Sequence, residues 1–555
     1  VLVKVTKCGE WRPVWLLLAV CCLGFSISAG AQTNDETFRS IVAELGDANF
    51  REKEALAEQL VNTEHSSVSA VLTALLEDRL VHRTRDTQVF IVKSNDDSLS
   101  TYELVDPVSL TDVEAINPDQ VQRIITNNRL RSVLRTTIAR FSLSSTDASV
   151  RRDAVREMIR RLDATDITLL RGLAEEELDT DVIYEIETAL ALIALDDEDA
   201  RVRAEAVGKL KGRLHPEVRN RLATLLESDE NGRFVETDPD VRTAATEVVQ
   251  RIDSLRTLYS IIETAFFGLS LGSVLVLIAM GLAITFGVMG VINMAHGELM
   301  MLGAYTTYVV QLWMPGYIDI SLFVAVPAAF IVAGSAGVLL ERTVIRFLYG
   351  RPLETLLATF GVSLILQQLV RSVFSANNRA VITPTWMSGA LQFNEAFSLT
   401  YNRVYIVLFA LVVFALVMMV VKGTRLGLYI RAVSENRTMA RAMGVRSGWV
   451  DAMTFGLGSG IAGVAGVALS QLTNVGPNLG QSYIIDSFMV VVFGGVGNLW
   501  GTLIGGMSLG IVNKLLEPFA GAVLGKILVL VILIIFIQFR PRGLFPQTGR
   551  ASENG

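Results

Sequence analysis

Cysteine is almost missing from this chain: Cys8, Cys21 and Cys22 are the only three among 555 residues. A chain processed near Gln32 keeps none of them, so a disulfide framework is excluded in any compartment. Histidine is nearly as scarce, with four residues. His65, His82 and His215 have no companion Cys or His at metal-ligand spacing and read as surface or packing residues, so no metal site is expected. No phosphate-binding G-x-x-x-x-G-K-[ST] loop occurs, because Gly208-Lys209 and Gly525-Lys526 both lack the following Ser or Thr. The chain is therefore not an ATPase and carries no cofactor of its own. No basic stripe interleaved with aromatics is found and the net charge is −7, which argues against nucleic acid as a partner. No catalytic constellation is legible, so no enzymatic role is expected.

What is present is apolar residue, unevenly spread. The chain is 51% hydrophobic and 19% charged, with mean hydropathy +0.44. Residues 32–257 are rich in Arg, Asp and Glu and have no long apolar run. Residues 258–539 form a series of apolar runs of about 17 residues or more, the length that crosses a bilayer as helix. The start is different again. Lys4, Lys7 and Arg12 precede an apolar core, Val14–Phe25, and Ala29-Gly30-Ala31 offers a cleavage site before Gln32. That is the pattern of a secretory signal over 1–31, and it sends 32–257 out of the cytoplasm.

Within 32–257 the pattern D-x-x-V-R-x-x-A recurs at Asp147, Asp199 and Asp238, with a weaker copy at Asp179. Aspartate caps a helix N-terminus, and the Val and Ala four apart are expected on one buried face. Repeats of this size read as stacked helical hairpins of the HEAT type. Residues 87–106 break the pattern and predict a small β-hairpin turning at Asn95-Asp96-Asp97-Ser98. Helical repeats commonly bind proteins, so this domain is expected to dock or brace.

The second half, 258–546, predicts an α-helical, polytopic membrane bundle of about eight helices. Spans are expected near 258–284, 288–314, 320–340, 355–375, 404–421, 452–472, 484–513 and 518–539. Arg342, Arg346 and Arg351 mark one cytoplasmic loop and Lys422, Arg425, Arg431, Arg437, Arg441 and Arg446 another. Parity with a basic cytoplasmic tail, 547–555 and the FRPRGLFP before it, requires 484–513 to be two crossings or a re-entrant pair. It is expected to turn at FGGVGNLWG, 493–501.

The run GVMGVINMAHGELMMLGAY, Gly287–Tyr305, stands out. Tyrosines aside, His296 and Glu298 are the only titratable side chains between Phe266 and Ile318. A carboxylate at the bilayer centre costs about 2.5–3.5 kcal/mol even on the lenient insertion scale, so it faces protein or water. Asn293, His296, Gly297 and Glu298 are the candidate solute path, with a helix break at or just before Gly297. Asn498, in a second glycine-interrupted segment, is added because paired interrupted segments in two halves mark a path between repeats. The alternatives are a polar cluster that only joins helices and glycines that only permit close packing. The loop KGTRLGLYIRAVSENRTMARAMGVR, 422–446, predicts a short helix closed by Gly444.

The string GVINMAHGELMMLGAY resembles the first core segment of the branched-chain amino-acid permease family of ABC importers, within it the urea-transporting members. The likeness covers about 258–546. Residues 376–403 are similar to the urea type, and the 422–446 loop resembles the family's ATPase-contacting loop. Its E-A-A-x-x-x-G motif stands here as Thr438-Met439-Ala440-Arg441-Ala442-Met443-Gly444, keeping the Ala and Gly but not the first two residues. The resemblance implies an ATP-driven import permease in a bacterial inner membrane, most closely one for urea. A branched-chain amino acid or short amide is the alternative solute. It also implies a coupling loop built on Arg431, Glu435, Asn436, Thr438, Ala440, Arg441 and Gly444. The implied partners are a second homologous permease, two ABC ATPase subunits that bind the ATP, an extracytoplasmic binding protein and membrane lipid. Rival classes are a passive channel or secondary transporter, separated by ATP dependence of uptake, and an intramembrane hydrolase, which lacks any H-E-x-x-H spacing.

Overall fold

The computed structural model describes residues 34–545, apart from 64, 86–87, 94–100, 163–165 and 229–232. The signal segment, the cleavage site and the 547–555 tail lie outside the described residues. The chain divides into two compact units, Val1–Ile252 and Asp253–Gly555, close to the boundary expected at 257/258.

The first unit opens with helical residues 34–44 (α1), then α2, Phe50–Asn62, and α3, Val68–Leu76. Asn49 caps α2, and Glu52 returns the bond to the Asn49 backbone, a complete capping box. The β-rich part is larger than a hairpin. β1 (Leu80–Arg83), β2 (Val89–Val92), β3 (Tyr102–Val105), β4 (Asp112–Ile116) and β5 (Val121–Arg123) form an antiparallel sheet in the order β4-β3-β2-β1-β5. The expected hairpin is its β2–β3 pair, with Ile91 opposite Val105. Its 95–98 turn lies outside the described residues. The other three strands are three to five residues long, too short to declare a period.

Helices α4 (Asn128–Ser142), α5 (Ala148–Ile159), α6 (Asp166–Glu176), α7 (Thr180–Ala194), α8 (Ala200–Lys209) and α9 (Pro216–Leu225) follow. Each repeated aspartate caps as expected: Asp147 accepts from Ser149, Asp179 from Asp181 and Val182, Asp199 from Arg201, and Asp238 from Asp240 and Val241. Ala154, Ala206 and Ala245 are buried, but Val150 and Val202 are 41% and 37% exposed, so the Val–Ala face is only half right. Val182 and Val241, at the same position after Asp179 and Asp238, are fully buried, so this position faces the core in two of the four copies. The repeated arginine carries the link instead. Arg151 grips Glu177 through two bonds of 2.7 Å, and Arg203 grips Glu236 the same way. Glu177 and Glu236 each stand two residues before the next cap, Asp179 and Asp238, and accept that cap's N–H. The Arg151 guanidinium, against burial, holds the Glu177 carboxyl down to about 2. His65 stacks on Phe38 at 4.2 Å and His215 bonds Glu185 at 2.8 Å, both packing roles.

The second unit is helical. α10 runs Pro239–Met289, with the unit boundary inside it. Then come α11 (His296–Trp313), α12 (Ile318–Thr343), α13 (Pro352–Phe374), the β6–β7 hairpin (Ala390–Asn394, Phe397–Thr400) and α14 (Tyr401–Gly423). Short α15 (Arg425–Glu435) and α16 (Arg437–Ala442) lead to α17 (Ser447–Ser470), α18 (Leu479–Gly494) and α19 (Leu499–Phe539). Among the described residues, six helices are long and apolar enough to cross a membrane, rather than the eight spans expected. α11 falls short because His296, Glu298 and Gln311 dilute it, and α18 is too short. The segment expected as 484–513 divides at 495–498, inside the expected turn. α19 reverses at Gly521 (φ +75), where Gly525 comes back beside Leu516. Its end thus returns to its start, and Leu544 N–H bonds Phe493 O.

Candidate solute path and coupling loop

α10 stops at Met289, Gly290 takes φ +66, and residues 290–295 are non-helical. Asn293 Oδ1 accepts from Ala295 N–H at 3.0 Å and starts α11, which is regular from His296 onward. The break therefore precedes His296, and Gly297 lies inside the helix. Gly297 is there for closeness: a Cβ on it would collide with the Gly480 carbonyl of α18.

On a regular helix, residues two apart point about 200° apart. His296 turns to α10, where Nε2–H donates to Ile278 O at 3.0 Å. Glu298 turns to α13, where its Oε1 accepts from Ser363 Oγ at 3.1 Å and Gln367 Nε2 at 2.8 Å. The two side chains are thus not brought together on one face. Both are buried, as is Asn293, and three of their atoms, Asn293 Nδ2, His296 Nδ1 and Glu298 Oε2, have no hydrogen-bond partner among the described residues. Such atoms are expensive to leave unmatched in an apolar interior.

The partners on α13 were missed by sequence reasoning. Thr355, Thr359, Ser363 and Gln367 are buried one turn apart, and Arg371 follows on the next turn. Met294 N–H donates to Thr359 Oγ1 at 3.1 Å, and Arg371 Nη2 bonds Asn478 Oδ1 at 2.7 Å. From 355 to 371 the polar stripe covers about 24 Å, most of a bilayer's apolar thickness. The four-residue spacing was the available signal.

Asn498 does not join this cluster. Its Oδ1 caps α19 through Trp500 and Gly501 N–H, it is half-buried, and its Nδ2 reaches Phe545 O. The two interrupted segments do abut, at Gly287 and Gly497, but through backbone.

In the 422–446 loop, Asn436 caps α16 by accepting Met439 N–H, and Ala440 is buried. Gly444 closes the helix at φ +88: its N–H bonds Arg441 O and Val445 N–H bonds Ala440 O, both 3.0 Å, the two bonds of a Schellman end. Arg431 bonds Val421 O and Arg441 bonds Ser447 Oγ, while Glu435 and Thr438 are exposed. Arg437, named from sequence only as a marker of the cytoplasmic loop, sends both Nη atoms to Asp451 at 2.8 Å and stacks on Tyr349 at 4.1 Å. Met439 and Met443 stand out, 61% and 83% exposed.

The family described as branched-chain amino acid transport system / permease component matches residues 264–537. The permease protein BraD of Pseudomonas aeruginosa is 31% identical over 300 residues, 52% of this chain and 96% of BraD. LivH of Escherichia coli K12 is 30% identical over 293 residues, 51% of this chain and 94% of LivH. Both are named as high-affinity branched-chain amino acid transport system permease proteins. The ribose import permease RbsC of Haemophilus influenzae is 30% identical over a shorter stretch, 19% of this chain and 35% of RbsC. No solved structure matches. With a multi-pass helical unit spanning the matched residues and relatives covered almost end to end, this chain belongs to the branched-chain amino acid ABC permease family and is a membrane transport subunit, not an enzyme.

Proposed function

We propose that the solute passes between α11 and α13 at the depth of Glu298. One observation carries this reading: a buried carboxyl in the middle of a membrane-spanning unit, held on one oxygen by Ser363 and Gln367 and with nothing on the other. A carboxyl kept only for packing is costly at that depth, and residues of this kind mark pathways. His296 is a tie between α11 and α10 and not a path residue.

The solute is a branched-chain amino acid. Glu298 offers an acceptor for an ammonium, and Arg371 lies on the next turn of α13 beyond Gln367 for a carboxylate. The names of BraD and LivH point the same way. Urea is the second reading, favoured by the neutral donors and acceptors of Ser363, Gln367 and Asn293 and by the character of 376–403. Whole-cell uptake of labelled leucine, competed with valine, urea, thiourea and short amides, separates them. Competition by urea but not valine would overturn the amino-acid reading.

Transport is driven by ATP on two partner ATPases that dock at α16, with a second permease and an extracytoplasmic binding protein completing the importer. Docking is supported by the Gly444-closed helix and the exposed Met439 and Met443. We place residues 32–257 outside the cytoplasm, a reading supported by the basic loops at 342–351 and 422–446 on the inside, with α10, α11 and α12 all crossing. We read 147–252 as HEAT-type repeats, on the strength of the recurring Arg–Glu link, and as a protein-docking domain. Uptake that persists after ATP depletion would favour a channel over this machine.

A further inference from the structure

Two kinds of contact hold the membrane unit together. The central helices interlock by backbone. A Cβ on Gly303 would strike the Gly463 carbonyl, one on Gly281 the Gly458 carbonyl, and one on Gly272 the Gly506 carbonyl, so α10, α11, α17 and α19 touch main chain to main chain. Close-packed interiors of this kind are bistable or rigid and not continuously deformable.

α13 is attached differently. Its glycine, Gly361, has open space where a Cβ would go. It meets α11 by side chains: Ser363 and Gln367 on Glu298, Thr359 on the Met294 N–H, and Phe374 stacked on Tyr305 at 4.8 Å. Its opposite face, with Leu353, Leu357 and Ile365, is exposed. Polar contacts of this sort exchange for a solute's groups at little net cost, whereas interlocked backbones do not.

Resting on the α11–α13 path reading, we propose that α13 is the movable wall of the solute site and that Ser363 and Gln367 are its specificity residues. In the empty site they hold Glu298. When a solute arrives, its N–H groups take Glu298, and Gln367 and Ser363 turn to its carbonyl or carboxylate oxygen. The spare Glu298 Oε2 provides the first acceptor. The spare Asn293 Nδ2, left over while Oδ1 is committed to Ala295, adds a donor. The ligand class is a small solute that bears both N–H donors and a C=O acceptor.

The test uses the complete importer in proteoliposomes with labelled leucine, with Cys8, Cys21 and Cys22 replaced by Ser. In Met294→Cys/Thr359→Cys, oxidation should stop uptake per cross-linked molecule, and reductant should restore it. A Gln367→Leu variant should raise KM about tenfold, the loss of one buried hydrogen bond. Full uptake by the cross-linked form, or an unchanged KM in Gln367→Leu, overturns the movable wall. A Glu298→Gln importer with unaltered uptake would overturn the path reading itself, whatever the cross-link does.

Discussion

Arg437 and Asp451 form a two-pronged ion pair, both bonds 2.8 Å, that ties the first residue of α16 to α17 across a turn. The guanidinium is also stacked on Tyr349, in the loop after α12, so three elements meet on one side chain. A planar fork makes this geometry and an ammonium does not. Arg437→Lys should therefore keep the charge yet loosen α16. Breaking a mostly buried pair costs about 3 kcal/mol, so Arg437→Ala should lower the melting temperature of the purified permease as well. The coupling ratio, solute moved per ATP hydrolysed, should fall in Arg437→Lys while the ATPase still co-purifies. An unchanged ratio would reduce the pair to a structural brace.

Gly444→Asp should abolish uptake and leave the permease in the membrane. A residue with a Cβ at φ +88 loses roughly 1 kcal/mol or more. Nothing crowds the position, so the loss comes from backbone strain and the Schellman end, not from a clash. Co-purification of the ATPase should drop with uptake. Wild-type uptake in this variant would exclude α16 as the docking element.

Several of these features were legible before any coordinates. Aspartates at caps, a glycine that stops a helix, and a glycine-marked interruption somewhere within 287–297 are local events, written within a few residues, though the break expected at or just before Gly297 falls at 290–295. What failed needed the third dimension. Gly297 looks like a hinge in sequence, but a helix with a missing Cβ serves a neighbour equally well, and only its contact with Gly480 shows the close packing. Asn498 looked like a path residue because an asparagine in an apolar run and a cap have the same spelling. The α13 stripe of Thr355, Thr359, Ser363 and Gln367 passed unnoticed because hydroxyls cost little in a membrane helix and satisfy themselves on the preceding turn, as Thr359 does on Leu356 O. The Arg151–Glu177 pair spans 26 positions, and no spacing rule announces it.

That pair makes the first unit sensitive to acid. Glu177 is held down to about 2 by its bonds from Arg151, and Arg203 lowers Glu236 in the same direction. A depressed carboxyl contributes stability above its unfolded pKa, and that contribution is lost as pH falls through the folded value. The window therefore runs from about pH 4.5 down to about pH 2. Hydrogen exchange of α5 and α7 amides in the full chain, corrected for intrinsic rates, should accelerate across it. In Arg151→Met the Glu177 contribution is absent at all pH values, so this acceleration should flatten. An equally steep acid response in that variant would place the sensitivity elsewhere.

The divergence of His296 and Glu298 separates two variants sharply. His296 fills the space beside Gly281 and donates to Ile278 O, so His296→Ala removes a buried ring and one buried side-chain hydrogen bond. A change of that kind costs about 2–5 kcal/mol by cavity and lost bond together. Its expected signature is less permease in the membrane, with uptake per molecule near normal. Glu298→Gln is different. An amide oxygen still accepts from Ser363 and Gln367, so the α11–α13 contact survives and membrane levels should hold. What is lost is the acceptor at Oε2, which becomes a donor or is turned away. Uptake per molecule should therefore fall by about tenfold or more, the scale of one charged hydrogen bond in a buried site. Quantitative immunoblots of membranes beside initial uptake rates read both quantities at once. The reverse pattern, with Glu298→Gln lost from the membrane and His296→Ala present but silent, would return the path to the α10 side of α11.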